Sequence, residues 1–172
     1  LRWKSNRRGP VAVQMLQTFA MLVQNIRDKH TLTYVLKHEA IREVISLDFD
    51  FSDEEVAGYY ICFMKSVALQ LNQSTIGSFI RRSSPKSSGC TMPLFLEAIR
   101  FINNPERMIR SAARTLTLTI MGSKNDVIDG FLISDENRGF FKLQIENLSI
   151  KSEILNSVSR IPLESCAVHE LD

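Results

Sequence analysis

One long amphipathic segment, residues 51–80, constrains the fold more than any other feature of this chain. Its apolar residues alternate in steps of three and one, which places them on one face of an α-helix. They are Val56, Tyr59, Tyr60, Phe63, Met64, Val67, Ala68 and Leu71. Ser52 and Glu55 have the spacing of a capping box, and the acidic residues beside them suit the positive end of the helix dipole. A face this wide requires neighbouring helices to cover it.

Further amphipathic segments can supply these neighbours. The same spacing predicts helices over residues 10–27, 31–37, 40–47, 93–102 and 105–121. Pro10 and Pro93 suit a first helical turn, and Asn104 is placed to cap the last helix. The three best predicted helices, over residues 10–27, 52–73 and 105–121, begin 42 and 53 residues apart, with shorter helices between them. Repeats of roughly 40–47 residues with two or three helices each are typical of HEAT and armadillo arrays. The sequence therefore predicts an all-α, armadillo/HEAT-like helical repeat array over residues 10–121.

The N-terminal residues, 1–9, are basic and contain the only Trp of the chain. We interpret them as a loop or as the end of a preceding helix. The chain begins with Leu1 and not with Met. We therefore expect it to be a piece of a longer protein.

Residues 81–91 are rich in Ser and lack an apolar residue that could anchor them to a core. They are expected to form a mobile surface loop. Within them, two Arg precede Ser83 and Ser84, and Pro85 follows. Ser83 and Ser84 are therefore candidates for phosphorylation by a basic-directed or proline-directed kinase, and the alternative is a plain solvated linker.

The C-terminal residues, 122–172, differ from the helical pattern. Glycines interrupt them, and Phe141, Leu143 and Ile145 alternate with polar residues as in a strand. We expect residues 122–172 to form a divergent tail outside the helical array. This tail either lacks a fixed structure or comes from a truncated gene model.

One row of basic residues occurs on a predicted helix. Arg107, Arg110 and Arg114 are spaced by three and four residues, so they share a side of the helix over 105–121. Such a row is usually a solvated face. It also suits carboxylates of a partner protein or a phosphoinositide headgroup, which makes these three residues candidates for a partner or lipid contact.

The composition argues against several functional classes. A net charge of +2 gives no case for nucleic acid, and no apolar run is long enough to span a membrane, so membrane association would be peripheral. Three Cys without a CxxC motif suit a reducing compartment, and Cys and His do not group as zinc ligands. Phosphate-binding loops, GxSxG and HExxH are also missing. We predict no catalytic residue, cofactor, metal or small-molecule substrate.

Several strings of the chain resemble the FPL-domain family. The most specific are the Phe-Asp-Phe entry at 49–51, the Tyr59-Tyr60 pair, residues 65–72 and the string EAIRF at 97–101. They lie within VAVQMLQTFAMLVQNI (11–26), FDFSDEEVAGYYICFMKSVALQLNQSTI (49–76) and FLEAIRFINNPERMIRSAARTLTLTI (95–120). The triplet that names the domain is present as Met92-Pro93-Leu94, with Met in place of Phe at a position expected to pack.

This resemblance implies part of a large cytoplasmic protein that attaches peripherally to endosomal, lysosomal or Golgi membranes. It implies a non-catalytic helical scaffold for endosome-to-lysosome or vacuole trafficking and for autophagy, including mitophagy, with a ubiquitin ligase and trafficking factors among its partners. The alternative is a component or adaptor of a ubiquitin-ligase complex. A RING would need eight Cys or His ligands, and this chain has three of each, unclustered. A third reading is direct lipid binding through the three arginines.

Overall fold

The computed structural model describes residues 9–84, 87–123 and 125–159, most of which are helical. In chain order the elements are α1 (Gly9–Asn25), α2 (Lys29–Lys37), α3 (Glu39–Ile45), α4 (Glu54–Leu69), a 3-10 turn (Ile76–Phe79), β1 (Arg81–Ser84), β2 (Ser87–Thr91), α5 (Pro93–Arg100), α6 (Arg107–Met121), α7 (Asp126–Ile133) and α8 (Asp135–Ser159). The predicted all-α class is confirmed, with one small antiparallel hairpin added. The chain divides into two compact units, residues 1–132 and 133–172.

Helix α4 lies at the centre of the first unit. It packs against α1 on one side and α6 on another, and α5 packs against α6. The predicted apolar face is buried except at Tyr59 and Leu71, which are half-buried. Ala57, Ile61 and Ser66 are buried in addition, because α4 is covered over a wider arc than its aromatic stripe. The prediction that this helix needs neighbours on its apolar face is confirmed.

Tyr60 joins α4 to the segments around it. Its hydroxyl donates to the backbone carbonyl of Ile45 at 2.7 Å, at the end of α3. Its ring lies 4.9 Å from that of Phe51 and 5.9 Å from that of Phe101, measured between centroids. Burial raises the pKa of the Tyr60 phenol above its ordinary value, and the Glu97 carboxylate nearby raises it further. The phenol is therefore a neutral hydrogen-bond donor inside an aromatic cluster.

Capping of α4 differs from the predicted capping box. Asp53 is the N-cap, and its carboxylate accepts from the backbone N–H of Glu55 at 2.9 Å and of Val56 at 3.4 Å. The Ser52 hydroxyl instead donates to the Asp50 carboxylate at 2.6 Å. A carboxylate is the stronger acceptor for backbone N–H groups, and Asp53 therefore occupies the position predicted for Ser52.

The start of α6 also differs from the prediction by two residues. Glu106 is the N-cap, and its carboxylate accepts from the N–H of Ile109 at 2.6 Å. Bonds from the N–H groups of Met108 and Ile109 lower the pKa of this carboxyl. The predicted cap, Asn104, accepts from the N–H of Glu106 at 2.9 Å and so shapes the turn before the helix.

Residues 81–91 were expected to form a mobile surface loop, and this expectation is wrong for residues 81–84 and 87–91, which form strands. Strands β1 and β2 pair antiparallel, with Arg81 opposite Thr91 and Arg82 opposite Cys90. Backbone pairing does not depend on apolar side chains, so a polar, Ser-rich sequence can still form a short hairpin. Ser83 and Ser84 lie in β1.

The strand expected around residues 141–145 is also wrong, because α8 continues through them. Phe141, Leu143 and Ile145 belong to a helix of 25 residues with apolar side chains on more than one side. Period-two alternation over five residues does not distinguish such a helix from a strand. Residues 1–8 and 160–172, for which we predicted a basic leader and part of the tail, lie outside the described residues.

Candidate functional site

The arginine row on α6 is divided by the structure into one anchored and two exposed side chains. The Arg110 guanidinium donates to the backbone carbonyls of Asn104 at 2.6 Å and Pro105 at 2.9 Å, which ties it to the turn before α6. Arg107 and Arg114 are exposed. No carboxylate in the described part of the chain lies within ion-pair distance of either. These two guanidinium groups are therefore the ones that can reach a ligand in solution.

A groove of about 590 Å³ runs between α4 and α6. We call it the α4–α6 groove. Residues of α4 form one side of it: Glu55, Gly58, Tyr59, Ile61, Cys62 and Lys65. Residues of α6 form the other side: Met108, Ile109, Ser111, Ala112 and Thr115. Most of these side chains are apolar or small, and the two charged ones are Glu55 and Lys65.

The α4 side of the groove is the one strip of that helix that its neighbours leave open. Gly58 is half-buried, Cys62 is exposed, and Lys65 is half-buried. These residues are spaced by four and three positions and therefore follow one line along the helix. A Cβ atom built on Gly58 would have no atom within 4 Å, so the open space continues to the helix backbone.

The α6 side carries apolar residues that the core does not use. Met108 shares the apolar spacing of the buried residues of α6, yet 76% of its surface is exposed. Ala112 has this spacing too and is half-buried, whereas Ile109 and Ala113 are buried. The apolar stripe of α6 is thus wider than its contact with α4, and the excess lines the groove. This excess width is the sequence signal by which the groove could have been found.

The groove and the arginine row lie on different sides of α6. At 3.6 residues per turn, the line through Met108 and Thr115 is rotated by about 100° from the line through Arg107 and Arg114. Both are part of the first unit. The helix therefore presents an apolar surface and a basic surface that a partner could contact separately.

The described part of the structure does not bring the residues of the other candidate sites together. Among the described residues, His, Cys, Asp and Glu do not come together in threes that could hold a metal ion. Asp50 and Asp53, which a calcium-loop reading would use, accept hydrogen bonds from Ser52 and from the first turn of α4. None of the described helices combines the length and the apolar character needed to cross a membrane. The side chains of Ser83 and Ser84 lie outside the described set.

Comparison with protein families decides the relationship of the chain. The family model FPL, described as an uncharacterised conserved protein, matches residues 3–121. The chain belongs to the FPL family. The matched region includes both sides of the α4–α6 groove and the whole arginine row. It also includes Met92 and Leu94 of the FPL triplet, both fully buried, which confirms the expectation that Met packs in place of Phe.

Curated relatives come from animals and plants. The chain is 41% identical over 125 residues to the Protein CLEC16A homolog of Drosophila melanogaster. This alignment covers 73% of the chain and 11% of that protein. The chain is 42% identical to Protein CLEC16A of Homo sapiens over 120 residues, which are 70% of the chain and 11% of that protein. Identity to Protein TRANSPARENT TESTA 9 of Arabidopsis thaliana is 29% over 153 residues, which are 86% of the chain and 18% of that protein.

The lengths of these matches carry two further facts. The chain spans about a tenth of the length of the animal relatives that it matches. The plant match covers a share of the chain that residues 1–121 alone cannot provide, so this alignment continues past Met121. No solved structure matches the chain.

Proposed function

We propose that this chain is part of a non-catalytic helical scaffold that acts in endosome-to-lysosome or vacuole trafficking and in the regulation of autophagy, including mitophagy. The observation that carries the proposal is membership of the FPL family over residues 3–121, together with the trafficking role that the resemblance implies. We further propose that the helices over residues 10–121 form part of an armadillo/HEAT-like array, with residues 122–172 as a divergent C-terminal part. Scaffolds of this kind act through long helical surfaces.

The surface of the first unit supports this role. Its central helix leaves one strip open, and that strip meets surplus apolar residues of α6 in a groove. Arg107 and Arg114, which have no ion-pair partner in the part of the chain that the structure describes, lie on another side of α6. Binding surfaces of different chemistry on one rigid element suit a protein that brings partners together. On this basis the protein acts in the cytoplasm and contacts endosomal, lysosomal or Golgi membranes peripherally.

We assign the arginine row to a partner or lipid contact, with Arg107 and Arg114 as the contacting residues. Two guanidinium groups can each form charge-assisted hydrogen bonds to phosphate or carboxylate oxygens. The test compares the double variant Arg107→Glu/Arg114→Glu with the wild type for sedimentation with vesicles that contain a phosphoinositide. Loss of sedimentation supports a lipid contact. Unchanged sedimentation excludes it and leaves protein carboxylates as the ligand.

The scaffold proposal is tested by fractionation of cells that express the tagged full-length protein. We expect recovery in the endosomal pellet and release by a high-salt wash, because peripheral electrostatic attachment is screened by salt. Deletion of the gene should change autophagic flux. A protein that never sediments with endosomes, and whose deletion leaves autophagic flux unchanged, would contradict the proposal. Chain formation by the purified protein with only ubiquitin-activating and conjugating enzymes would favour the ubiquitin-ligase alternative.

A further inference from the structure

We infer that the α4–α6 groove is a docking site for an amphipathic helix of a partner protein, with a basic residue at one end of that helix and an acidic residue at the other. This inference rests on the proposed scaffold function and names the surface through which the scaffold would hold one partner. The groove has an apolar centre, charged ends and a floor that reaches the backbone of α4. Each of these properties restricts the occupant.

The centre of the groove requires an apolar occupant. Met108 stands at its edge with 76% of its surface exposed, and Tyr59 and Ala112 are half-buried beside it. Removing this apolar surface from water favours association with a complementary apolar face. The open volume of about 590 Å³ is continuous between the two helices, so several side chains of one partner can enter it.

The backbone of the groove restricts the conformation of the occupant. Both sides are α-helices, whose N–H and C=O groups are bonded within each helix. The groove therefore offers side chains and no strand edge for pairing. An extended peptide would bury its own polar backbone without partners, whereas a helix satisfies these groups internally. We therefore assign a helix and not a strand to the groove.

The ends of the groove restrict the charge of the occupant. Glu55 lies near the start of α4 and Lys65 ten residues later, which separates them by about 15 Å along the axis. Neither forms an ion pair with another residue of the described chain. An occupant with a basic group near Glu55 and an acidic group near Lys65 complements both ends. An occupant of a single charge sign repels one end.

Gly58 indicates how closely the occupant approaches. Glycine in a helix interior is less favourable than alanine, yet an added Cβ at this position would meet nothing within 4 Å. Packing among the residues that the structure describes therefore does not explain the glycine. A second helix that crosses α4 closely at this point explains it, because a missing side chain lets two helix backbones approach.

The test uses three synthetic helical peptides of 15 residues that share one apolar face and differ at their ends. The mixed peptide has Lys at one end and Glu at the other, and the two controls have Lys at both ends or Glu at both ends. A helix can enter the groove in either direction, so reversing the mixed peptide would not be a control. Binding to the purified full chain is followed by fluorescence anisotropy.

We expect the mixed peptide to bind threefold to tenfold more tightly than either control. Glu55→Lys makes both ends of the groove basic, so the peptide with Glu at both ends should then bind most tightly. This change of preference is independent of overall stability. Equal binding of the three peptides to the wild type would overturn the assignment of the charged ends.

Filling the groove gives the second measurement. Gly58→Leu places a side chain in the open space and should weaken the mixed peptide at least tenfold. The matched control is Gly139→Leu in α8, another helical glycine whose added Cβ meets nothing, and it should leave affinity unchanged. Circular dichroism confirms that both variants remain helical. Unchanged affinity in Gly58→Leu would place the peptide elsewhere and overturn the docking site.

Two outcomes separate this inference from the proposed function. If the three peptides bind equally but the protein is recovered with endosomes, the docking site is rejected and the scaffold function is retained. Normal selectivity in a protein that never meets endosomes rejects the trafficking role and keeps the groove. Sedimentation that shows a dimer of the wild type and a monomer of Gly58→Leu would assign the groove to a second copy of the chain and overturn the partner helix.

Discussion

Helix α4 has one apolar face and is surrounded by other helices, whereas most of the α8 side chains that the structure describes are exposed. Nine residues of α4 are buried. Among the α8 side chains that the structure describes, Asn137 alone is buried, and six large apolar residues are more than half exposed: Leu143, Ile145, Leu148, Ile150, Ile154 and Leu155. Apolar residues of a helix are therefore buried only where other elements pack around that helix. The two helices allow this distinction to be measured.

The largest expected difference concerns the same type of substitution in the two helices. Phe63→Ala in α4 removes a fully buried ring and leaves a cavity, so it should lower the free energy of unfolding by about 3–5 kcal/mol. Leu148→Ala in α8 removes a side chain that is 67% exposed and should change it by less than about 0.5 kcal/mol. Urea unfolding of the chain, followed by circular dichroism, measures both. Similar losses in the two variants would show that α8 is packed as firmly as α4.

An intermediate effect is expected for Tyr60→Phe. This change removes the donor to the Ile45 carbonyl and leaves a buried acceptor without it, which should cost about 1–3 kcal/mol. Tyr34→Phe is the matched control, because the Tyr34 side chain is 71% exposed and should tolerate the change. A Tyr60→Phe variant as stable as the wild type would mean that water or rearrangement replaces this bond.

The raised pKa of Tyr60 also predicts a dependence on pH. Below about pH 10 the phenol is protonated in both the folded and the unfolded chain, so its contribution is constant. Above about pH 10 the unfolded chain loses this proton while the folded chain keeps it, and stability falls by up to about 1.4 kcal/mol per pH unit. Thermal unfolding between about pH 9 and 11 should therefore show a steeper loss for the wild type and Tyr34→Phe than for Tyr60→Phe. Equal slopes would place the Tyr60 phenol in contact with solvent.

The smallest effects concern glycine. Gly58→Ala in α4 and Gly139→Ala in α8 should each stabilise the chain by about 0.5–1 kcal/mol, because both are helical and neither added Cβ meets another atom. Equal stabilisation by the two substitutions would show that the space above Gly58 is empty in the chain by itself. Thermal unfolding measures both variants. Destabilisation by Gly58→Ala alone would mean that the groove is closed by the chain in solution.

Most of the helices could be predicted, and the reason is visible in particular residues. Pro93 begins α5 as the sequence predicts, and the stripe from Val56 to Ala68 is buried in α4 except at Tyr59. Caps were misplaced because several oxygens compete for the same N–H groups. Asp53 and Ser52 are neighbours, and the Asp53 carboxylate accepts the backbone N–H groups that the Ser52 hydroxyl was expected to cap. The pairing of β1 with β2 could not be predicted, since it uses the backbone and the side chains of these strands have little strand preference.

The candidate site was predicted less completely than the helices. The arginine row is visible as a spacing, but the bond of Arg110 to the carbonyls before α6 depends on the turn at residues 104–106. The groove combines one strip of α4 with one strip of α6, about fifty residues later in the chain. The wide apolar stripe of α6 is visible in the sequence, but it does not show which strip of α4 lies opposite. Only the packing of the two helices turns them into one surface.

The exposed thiol of Cys62 makes the centre of the groove chemically addressable. Its side chain belongs to the open strip of α4 and not to the core, so modification there leaves the packing with α1 in place. Small disulfide-bearing fragments attached at this position would be retained according to how well they fit beside Met108 and Ala112. Fragment tethering at this native cysteine therefore offers reagents that block the α4–α6 groove of an FPL protein while the fold remains intact.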